Sequence, residues 1–379
     1  MTSPSSRRLP PAPIPLTVLT GFLGAGKTTL LNRLLRDPAL AGTAVLVNEF
    51  GDIGLDHLLV EAVADDMVLL SSGCLCCTVR GELVTALEKL LRDLDNGRVS
   101  FRRVMVETTG LADPAPVLHT IMVHPYLVLR YRLDGVVTLV DAVNGLATLD
   151  AHPESVKQAA VADRLVLSKT DLLAAPERAE QMRRLGERLR ALNPAAPILD
   201  AAAGEAPAPA LLDCGLYDPG GKIPDVGRWL AAESYQAAHA HGHAHDHHHD
   251  VNRHDDRIRA FTLTAENALP AGTFEMFLDL LRSMHGPNLL RVKGIVRLAE
   301  MPESPVVIHG VQHVFHPPAS LPAWPDHDRR TRLVFITRDI APHVIEGLFA
   351  AFLGVARVDQ PDAAALADNP LVPFGGRDR

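Results

Sequence analysis

A glycine-rich segment near the N-terminus has the residue types and spacing of a phosphate-binding loop. It reads Gly21-Phe-Leu-Gly-Ala-Gly-Lys27-Thr28, with glycine, lysine and threonine at all four defining positions. Glycines let backbone N–H groups turn toward phosphate oxygens at the N-terminus of a helix. Lys27 is expected to reach the β- and γ-phosphates, and the Thr28 hydroxyl is expected to ligate Mg²⁺. The pattern predicts a nucleoside triphosphate site formed by Gly21, Phe22, Leu23, Gly24, Ala25, Gly26, Lys27, Thr28 and Thr29.

A second motif, Ser168-Lys-Thr-Asp171, closes an apolar run where GTPases carry Asn-Lys-x-Asp. The Asp171 carboxylate can accept hydrogen bonds from the N1–H and the exocyclic amine of guanine, which adenine cannot supply in that arrangement. Ser168 stands where the GTPase motif has asparagine, so one hydrogen bond that supports guanine selection is in question. We therefore expect Ser168, Lys169 and Asp171 to bind the base and to favour guanine over adenine.

A third motif, Glu107-Thr-Thr-Gly110, follows the apolar run Val104–Val106. Glu107 can order the water shell of Mg²⁺, and the Gly110 N–H can sense the γ-phosphate. A Glu-x-x-Gly pattern by itself also occurs in ordinary surface loops, but its position after the phosphate loop favours the functional interpretation. Glu107 and Gly110 join Lys27 and Thr28 as the predicted catalytic residues.

Three cysteines lie within four residues, at Cys74, Cys76 and Cys77. Adjacent Cys76 and Cys77 are poorly placed for a disulfide, because the bond requires a specific separation of the two side chains. Thiolates suit soft or borderline metals such as Zn²⁺, Co²⁺ and Cu⁺. Buried, inert cysteines are the alternative. A structural zinc site has four protein ligands, so three cysteines indicate a site that delivers metal through an open or borrowed fourth position.

An acidic segment, Asn48-Glu-Phe-Gly51 followed by Asp52, ends an earlier apolar run. Its place in the chain makes it a candidate switch segment, although acidic loops are also often simply solvated. Glu49 and Asp52 are the candidates for a fourth metal ligand.

An irregular histidine tract supplies further nitrogen ligands. Neutral imidazoles bind metal near pH 7, so accessory metal binding is one interpretation and a solvated linker is the other. The histidines concerned are His239, His241, His243, His245, His247, His248 and His249, with His254 beyond them.

Composition limits the class of protein. The 379 residues carry 37 Lys and Arg against 45 Asp and Glu, a formal net charge of −8, which argues against general nucleic-acid binding. A hydrophobic content of 47% provides a core and excludes disorder of the whole chain. No uninterrupted apolar run is long enough to cross a membrane. Four cysteines, three of them in one cluster, do not form a disulfide framework, so we expect a cytoplasmic protein.

Short apolar runs alternate with amphipathic helical patterns over the first half of the chain. This alternation predicts an α/β domain with a mainly parallel sheet covered on both faces. The expected strands are Leu16–Leu19, Ala44–Val47, Met67–Leu70, Val104–Val106, Val136–Val140 and Leu165–Leu167. The pattern fades after residue 203.

Order resumes in the C-terminal part, where the strand and helix patterns predict a separate α+β domain. It comprises a strand at Ile258–Leu263, helices near Gly272–Met284 and His343–Leu353, and strands near Leu289–Leu298, Pro305–Ile308, Gln312–His316 and Arg332–Thr337. The predicted organisation is a flexible leader (1–13), a P-loop domain (14–203), a linker with the histidine tract (204–257), the α+β domain (258–355) and a tail (356–379).

The motifs, in this order, resemble the CobW family of metallochaperone GTPases. Lys293-Gly-Ile-Val296 and Ile308-His-Gly-Val-Gln-His313 resemble its C-terminal domain. The resemblance implies GTP hydrolysis coupled to Zn²⁺ or Co²⁺ handling, with Cys74, Cys76 and Cys77 as metal ligands and a client protein that receives the metal. It also implies kinship with the nickel-insertion GTPases of urease and hydrogenase. It names neither the client nor the oligomeric state, and a homo-oligomer stays open.

Two functions compete. One is a GTPase that loads metal into a client, and the other is a metal buffer whose nucleotide domain sets affinity with little turnover. An ATP-dependent kinase using the same loop is disfavoured because Asp171 selects guanine.

Overall fold

The computed structural model describes residues 12–48, 68–72, 79–212, 214 and 257–353. The first sheet contains strands β1 Ile14–Gly21, β2 Thr43–Asn48, β3 Val68–Ser72, β4 Arg103–Glu107, β5 Tyr131–Asp141, β6 Arg164–Ser168 and β7 Ile198–Asp200. Their order is β3-β2-β4-β1-β5-β6-β7, and every neighbouring pair is parallel. The predicted α/β architecture with a parallel sheet is confirmed.

Helices cover both faces of this sheet, which explains why its central strands are continuous apolar runs. Leu83, Leu87 and Leu91 pack one face, and Leu30, Leu31 and Leu34 pack the other. The helices are α1 Lys27–Leu35, α2 Val79–Asp95, α3 Ala115–Val123, α4 Leu127–Arg130, α5 Gly145–Ala151, α6 Pro153–Ala160, α7 Glu177–Leu192 and α8 Ala208–Leu211.

The strand order places the functional motifs together. Because the strands are parallel, β1, β4, β5 and β6 all end at the same edge of the sheet. The chain crosses from β4 on one side of β1 to β5 on its other side, and such a reversal leaves a crevice at the carboxyl ends. Gly21, Glu107, Asp141 and Ser168 are the last residues of these four strands.

The second sheet is antiparallel and belongs to the C-terminal part of the chain. Its strands are β8 Ile258–Ala265, β9 Leu289–Val296, β10 Val306–Val311, β11 Val314–Phe315, β12 Ala319–Ser320 and β13 Thr331–Arg338. Their order is β11-β10-β9-β13-β8, with β12 paired to β10. Helices α9 Ala271–His285 and α10 Pro342–Phe352 pack on it through Phe274, Phe277 and Phe349. The predicted α+β domain is confirmed.

Two details differ from the sequence prediction. The expected strand at Gln312–His316 is shortened to Val314–Phe315, because Gln312 adopts a φ of 54° in the turn after β10. The short strands β7 and β12 were not predicted, since three and two residues carry no recognisable alternation.

The C-terminal sheet forms an interface with helix α3 of the first domain. Val311 and Val314 of the C-terminal sheet pack into the same apolar cluster as Val117 and Leu118 of α3. His119 Nε2 lies 3.0 Å from the carbonyl oxygen of Val311. Within the described ranges, no helix has the length and apolar character needed to cross a membrane.

Candidate functional site

The glycine-rich loop joins β1 to α1, as its sequence predicted. Gly24 and Gly26 have φ values of 72° and 87°, in the left-handed region that favours glycine. A Cβ atom on Gly21 would lie 2.5 Å from the carbonyl oxygen of Leu139 on β5. Glycine is therefore required at Gly21 by the close approach of β5, and at the other two positions by the turn itself.

Lys27, the first residue of α1, points back into the loop. Its Nζ donates to the carbonyl oxygens of Gly21 at 3.0 Å and Phe22 at 3.2 Å. Its side chain is buried, with 9% of its surface exposed. The ammonium group consequently lies inside the turn where a bound phosphate chain needs a cation.

Thr28 and Glu107 meet although 79 residues separate them. The Thr28 Oγ1 donates to Glu107 Oε1 at 2.9 Å. Glu107 is buried at the end of β4, which pairs directly with β1 through Leu19. A hydroxyl beside a carboxylate at this position is the oxygen donor set that Mg²⁺ prefers. The structure brings together the two residues that the sequence analysis expects to hold the ion or its water shell.

The loop after β4 lies against the phosphate-binding loop. Thr108 anchors it, since its N donates to the Leu19 carbonyl at 2.9 Å and its Oγ1 donates to Thr20 Oγ1 at 2.8 Å. A Cβ on Gly110 would lie 2.6 Å from the backbone N of Leu23. Only glycine permits this approach of the two loops. The third predicted motif is therefore part of the same site.

The predicted base-binding motif lies on the other side of the phosphate loop. Ser168 Oγ donates to the Ala25 carbonyl at 2.7 Å, so the serine braces the loop although it lacks an amide. Lys169 has a φ of 58°, and its Nζ lies 2.8 Å from Asp141 Oδ2. Asp171 is exposed at the start of a short 3₁₀ helix, Thr170–Leu172. Its carboxylate is accessible to a ligand.

Asp141 is a site residue that the sequence analysis missed. Burial opposes its ionisation, but hydrogen bonds from Lys169 and Asn144 outweigh that effect and hold the pKa of the Asp141 carboxyl below its usual value. Asp141 thus stays charged and keeps Lys169 in place. Its position at the end of the predicted strand Val136–Val140 was the available signal.

A cavity of about 290 Å³ adjoins the phosphate loop on the side of β5, α5 and α6. Phe22, Thr138, Asn144 and Gln158 contribute to its wall. The Phe22 ring stacks on His152, with 4.5 Å between ring centroids. Gln158 and His152 carried no sequence signal, because neither lies in a motif or at a strand end.

The structure gathers most of the predicted nucleotide residues at one edge of the sheet. Thr29 is exposed on α1. The predicted metal ligands Cys74, Cys76 and Cys77, the candidates Glu49 and Asp52, and the histidine tract lie outside the described residues. Among the residues that the structure describes, no group of three or more His, Cys, Asp or Glu side chains is arranged to hold a metal.

Comparison with known proteins identifies related chains. Residues 15–200 match the CobW/HypB/UreG nucleotide-binding domain, and residues 258–353 match the cobW C-terminal domain of cobalamin synthesis proteins. The zinc chaperone YjiA of Escherichia coli is 32% identical over 338 residues, which cover 89% of this chain and 98% of YjiA.

A solved structure of YjiA and one further relative extend the comparison. The crystal structure of Zn(II)-bound YjiA GTPase from E. coli superimposes with a TM-score of 0.66 at 27% identity, over 91% of this chain and 99% of that one. The zinc-regulated GTPase metalloprotein activator 1 of Schizosaccharomyces pombe is 43% identical over 169 residues, which cover 43% of this chain and 40% of that relative.

Proposed function

The chain belongs to the CobW family of P-loop GTPases, and we propose that it binds Zn²⁺ or Co²⁺ and uses GTP hydrolysis to pass the metal to a client protein. It is a GTPase metallochaperone. The observation that carries the catalytic part is the meeting of Thr28 and Glu107 beside Lys27. A cytoplasmic location is part of the same proposal.

In the proposed reaction, Lys27 places its positive charge where negative charge develops on the β–γ bridge and the γ-phosphate oxygens. Thr28 and Glu107 would hold Mg²⁺ and its waters, and the ion would supply further charge neutralisation. Gly110, in contact with the phosphate loop, would present its N–H to the γ-phosphate. Asp171 would accept the guanine donors, with Ser168 and Lys169 holding the base-side segment in position.

The proposed transition-metal site is Cys74, Cys76 and Cys77, with Glu49 or Asp52 as the fourth ligand. Strand β3 ends at Ser72, at the same edge of the sheet as the phosphate loop. The three cysteines follow two to five residues later. The histidine tract His239–His254 would add accessory, weaker metal sites.

The similarity to zinc chaperone YjiA and to zinc-regulated GTPase metalloprotein activator 1 supports the assignment of zinc. A metal buffer with little turnover is the second candidate. The two candidates differ in the coupling between nucleotide binding and metal binding. A GTPase that drives metal transfer must have different metal affinities in its GDP and GTP states.

The test is a competition titration of Zn²⁺ and of Co²⁺ against a chelator, with GDP or a non-hydrolysable GTP analogue bound. We expect metal affinities that differ between nucleotide states by about 5- to 150-fold, the usual range of coupling free energies. Replacing Cys74, Cys76 and Cys77 together by serine should abolish this site. The matched control is Cys214→Ala, which removes the fourth cysteine, a buried residue outside the cluster, and should leave metal affinity unchanged. Equal metal affinities in both nucleotide states would favour the buffer.

A further inference from the structure

Gln158, on α6, donates side-chain hydrogen bonds to the loop that carries Gly110. Its Nε2 donates to the Gly110 carbonyl at 3.1 Å and to the Ala112 carbonyl at 3.0 Å. The side chain is 1% exposed. A carboxamide is the neutral group of this length that offers two N–H donors from one nitrogen. Gln158 therefore binds two backbone carbonyl groups of the same loop, those of Gly110 and Ala112, at the same time.

Helix α6 itself is firmly placed. The backbone carbonyl of Gln158 accepts a hydrogen bond from Thr138 Oγ1 of β5 at 2.8 Å. One residue earlier, Lys157 Nζ pairs with Asp113 Oδ2 at 2.8 Å, further along the same loop. The loop from Gly110 to Asp113 is thus fastened to one side of α6 by two consecutive side chains.

The other side of Gly110 faces the phosphate loop. Its α-carbon has no room for a methyl group, because a Cβ would lie 2.6 Å from the N of Leu23. Gly110 is therefore confined between Leu23 and the amide of Gln158. Its position relative to a γ-phosphate depends on the length and donors of the glutamine side chain.

We propose that Gln158 is a positioning residue for GTP hydrolysis: it holds the Gly110 loop where the Gly110 N–H meets the γ-phosphate. The inference rests on the proposed role of Gly110 in nucleotide hydrolysis and is independent of the metal that the protein carries. Because GDP has no γ-phosphate, loss of Gln158 should affect GTP and its analogues and spare GDP.

The variants are Gln158→Glu, which keeps the shape but replaces both N–H donors by acceptors, and Gln158→Leu, which removes polarity. We expect kcat for GTP to fall at least about tenfold in either variant, with GDP affinity within twofold of the parent chain. The ratio of GTP-analogue affinity to GDP affinity should fall as well. Melting temperature and circular dichroism report whether each variant is folded. One folded variant is enough for the test.

Gln181 provides a matched control. Its Nε2 makes the same kind of double contact, to the carbonyls of Ala142 at 3.0 Å and Val143 at 2.9 Å. That loop follows β5 and does not carry Gly110. Gln181→Glu should leave the ratio of GTP-analogue to GDP affinity unchanged.

Two outcomes would overturn the inference. If a folded Gln158 variant keeps kcat within twofold, the loop needs no support from this side chain. If GDP and GTP-analogue affinities fall equally, Gln158 is merely structural. The Lys27→Ala variant shows whether the proposed nucleotide site itself is correct. If Lys27→Ala is inactive while Gln158→Glu stays active, only the role of Gln158 is rejected.

Discussion

Lys293 of the C-terminal sheet forms a buried ion pair with Asp163, which lies between α6 and β6 of the P-loop domain. The Lys293 and Asp163 side chains are 7% and 2% exposed. Arg291 joins the same carboxylate and also donates to the Val161 carbonyl. The other carboxylate oxygen accepts the Val136 N–H at 2.9 Å. One aspartate thus connects strand β9 to the sheet that carries the nucleotide site.

We predict that Asp163→Asn destabilises the chain by about 3–5 kcal/mol at pH 7, because two buried cations lose their counter-ion. Burial opposes ionisation of Asp163, but Arg291 and Lys293 outweigh it and lower the pKa of this carboxyl far below its usual value. Its stabilising charge is therefore present above the pKa of an unfolded aspartate, about 3.9, and is lost only at lower pH.

Urea denaturation at pH 7 measures this change in the free energy of unfolding. Asp150→Asn is the control, since the Asp150 side chain is half exposed and its Oδ1 lies 3.7 Å from Nη2 of Arg188. We expect a change below about 1 kcal/mol, because the Asp150 carboxylate is half exposed to solvent. A similar small change in Asp163→Asn would show that the ion pair does not stabilise the interface.

From His309 and His316, at the same interface, we predict a second pH dependence of the free energy of unfolding. Their rings stack with 5.4 Å between centroids. Burial lowers the pKa of His316 to about 4, and burial together with Arg291 and Lys293 lowers that of His309 well below its ordinary value. Both imidazoles are neutral in the folded chain near pH 6. The unfolded chain protonates them at about pH 6.5.

The free energy of unfolding should therefore decrease as pH falls from 6.5 toward 4, by about 1.4 kcal/mol per pH unit for each proton that only the unfolded state binds. His316→Gln should reduce this slope by about 1.4 kcal/mol per pH unit, the contribution of one proton. Denaturation midpoints across this pH range test it, with the exposed His343→Gln as the control. An unchanged slope in His316→Gln would contradict the assignment.

The Lys27→Ala variant should lose at least about 100-fold in GTP turnover, because it removes the cation at the developing negative charge. Single-turnover hydrolysis with saturating GTP measures the chemical step apart from binding. Turnover equal to that of the parent chain would remove the phosphate loop from the mechanism.

Asp171→Asn should weaken GTP binding by about 1.5–3 kcal/mol, the range for hydrogen bonds to a charged group. ATP binding should change less than twofold, because adenine does not use this carboxylate. Equilibrium titration with both nucleotides gives the comparison. A parent chain that binds ATP and GTP equally well would refute guanine selection.

The residue pattern alone determined the local parts of this protein. The phosphate loop could be predicted because Gly24 and Gly26 serve a turn whose geometry is encoded within a few residues. The central strands could be predicted because burial on both faces favours continuous apolar runs, as in β6, where Leu165, Val166 and Leu167 are buried. Strand β7 escaped prediction because three half-buried residues make no such run.

The contacts that complete the site were decided by tertiary structure. Ser168 bonds to Ala25 across 143 residues of chain, Gln158 reaches Gly110 across 48, and Lys293 meets Asp163 across 130. Each contact depends on which strands become neighbours and on how the C-terminal sheet packs against α6. Hydrophobic periodicity specifies that a strand is buried, but it does not specify which strand lies beside it, so only the assembled fold brings these partners together.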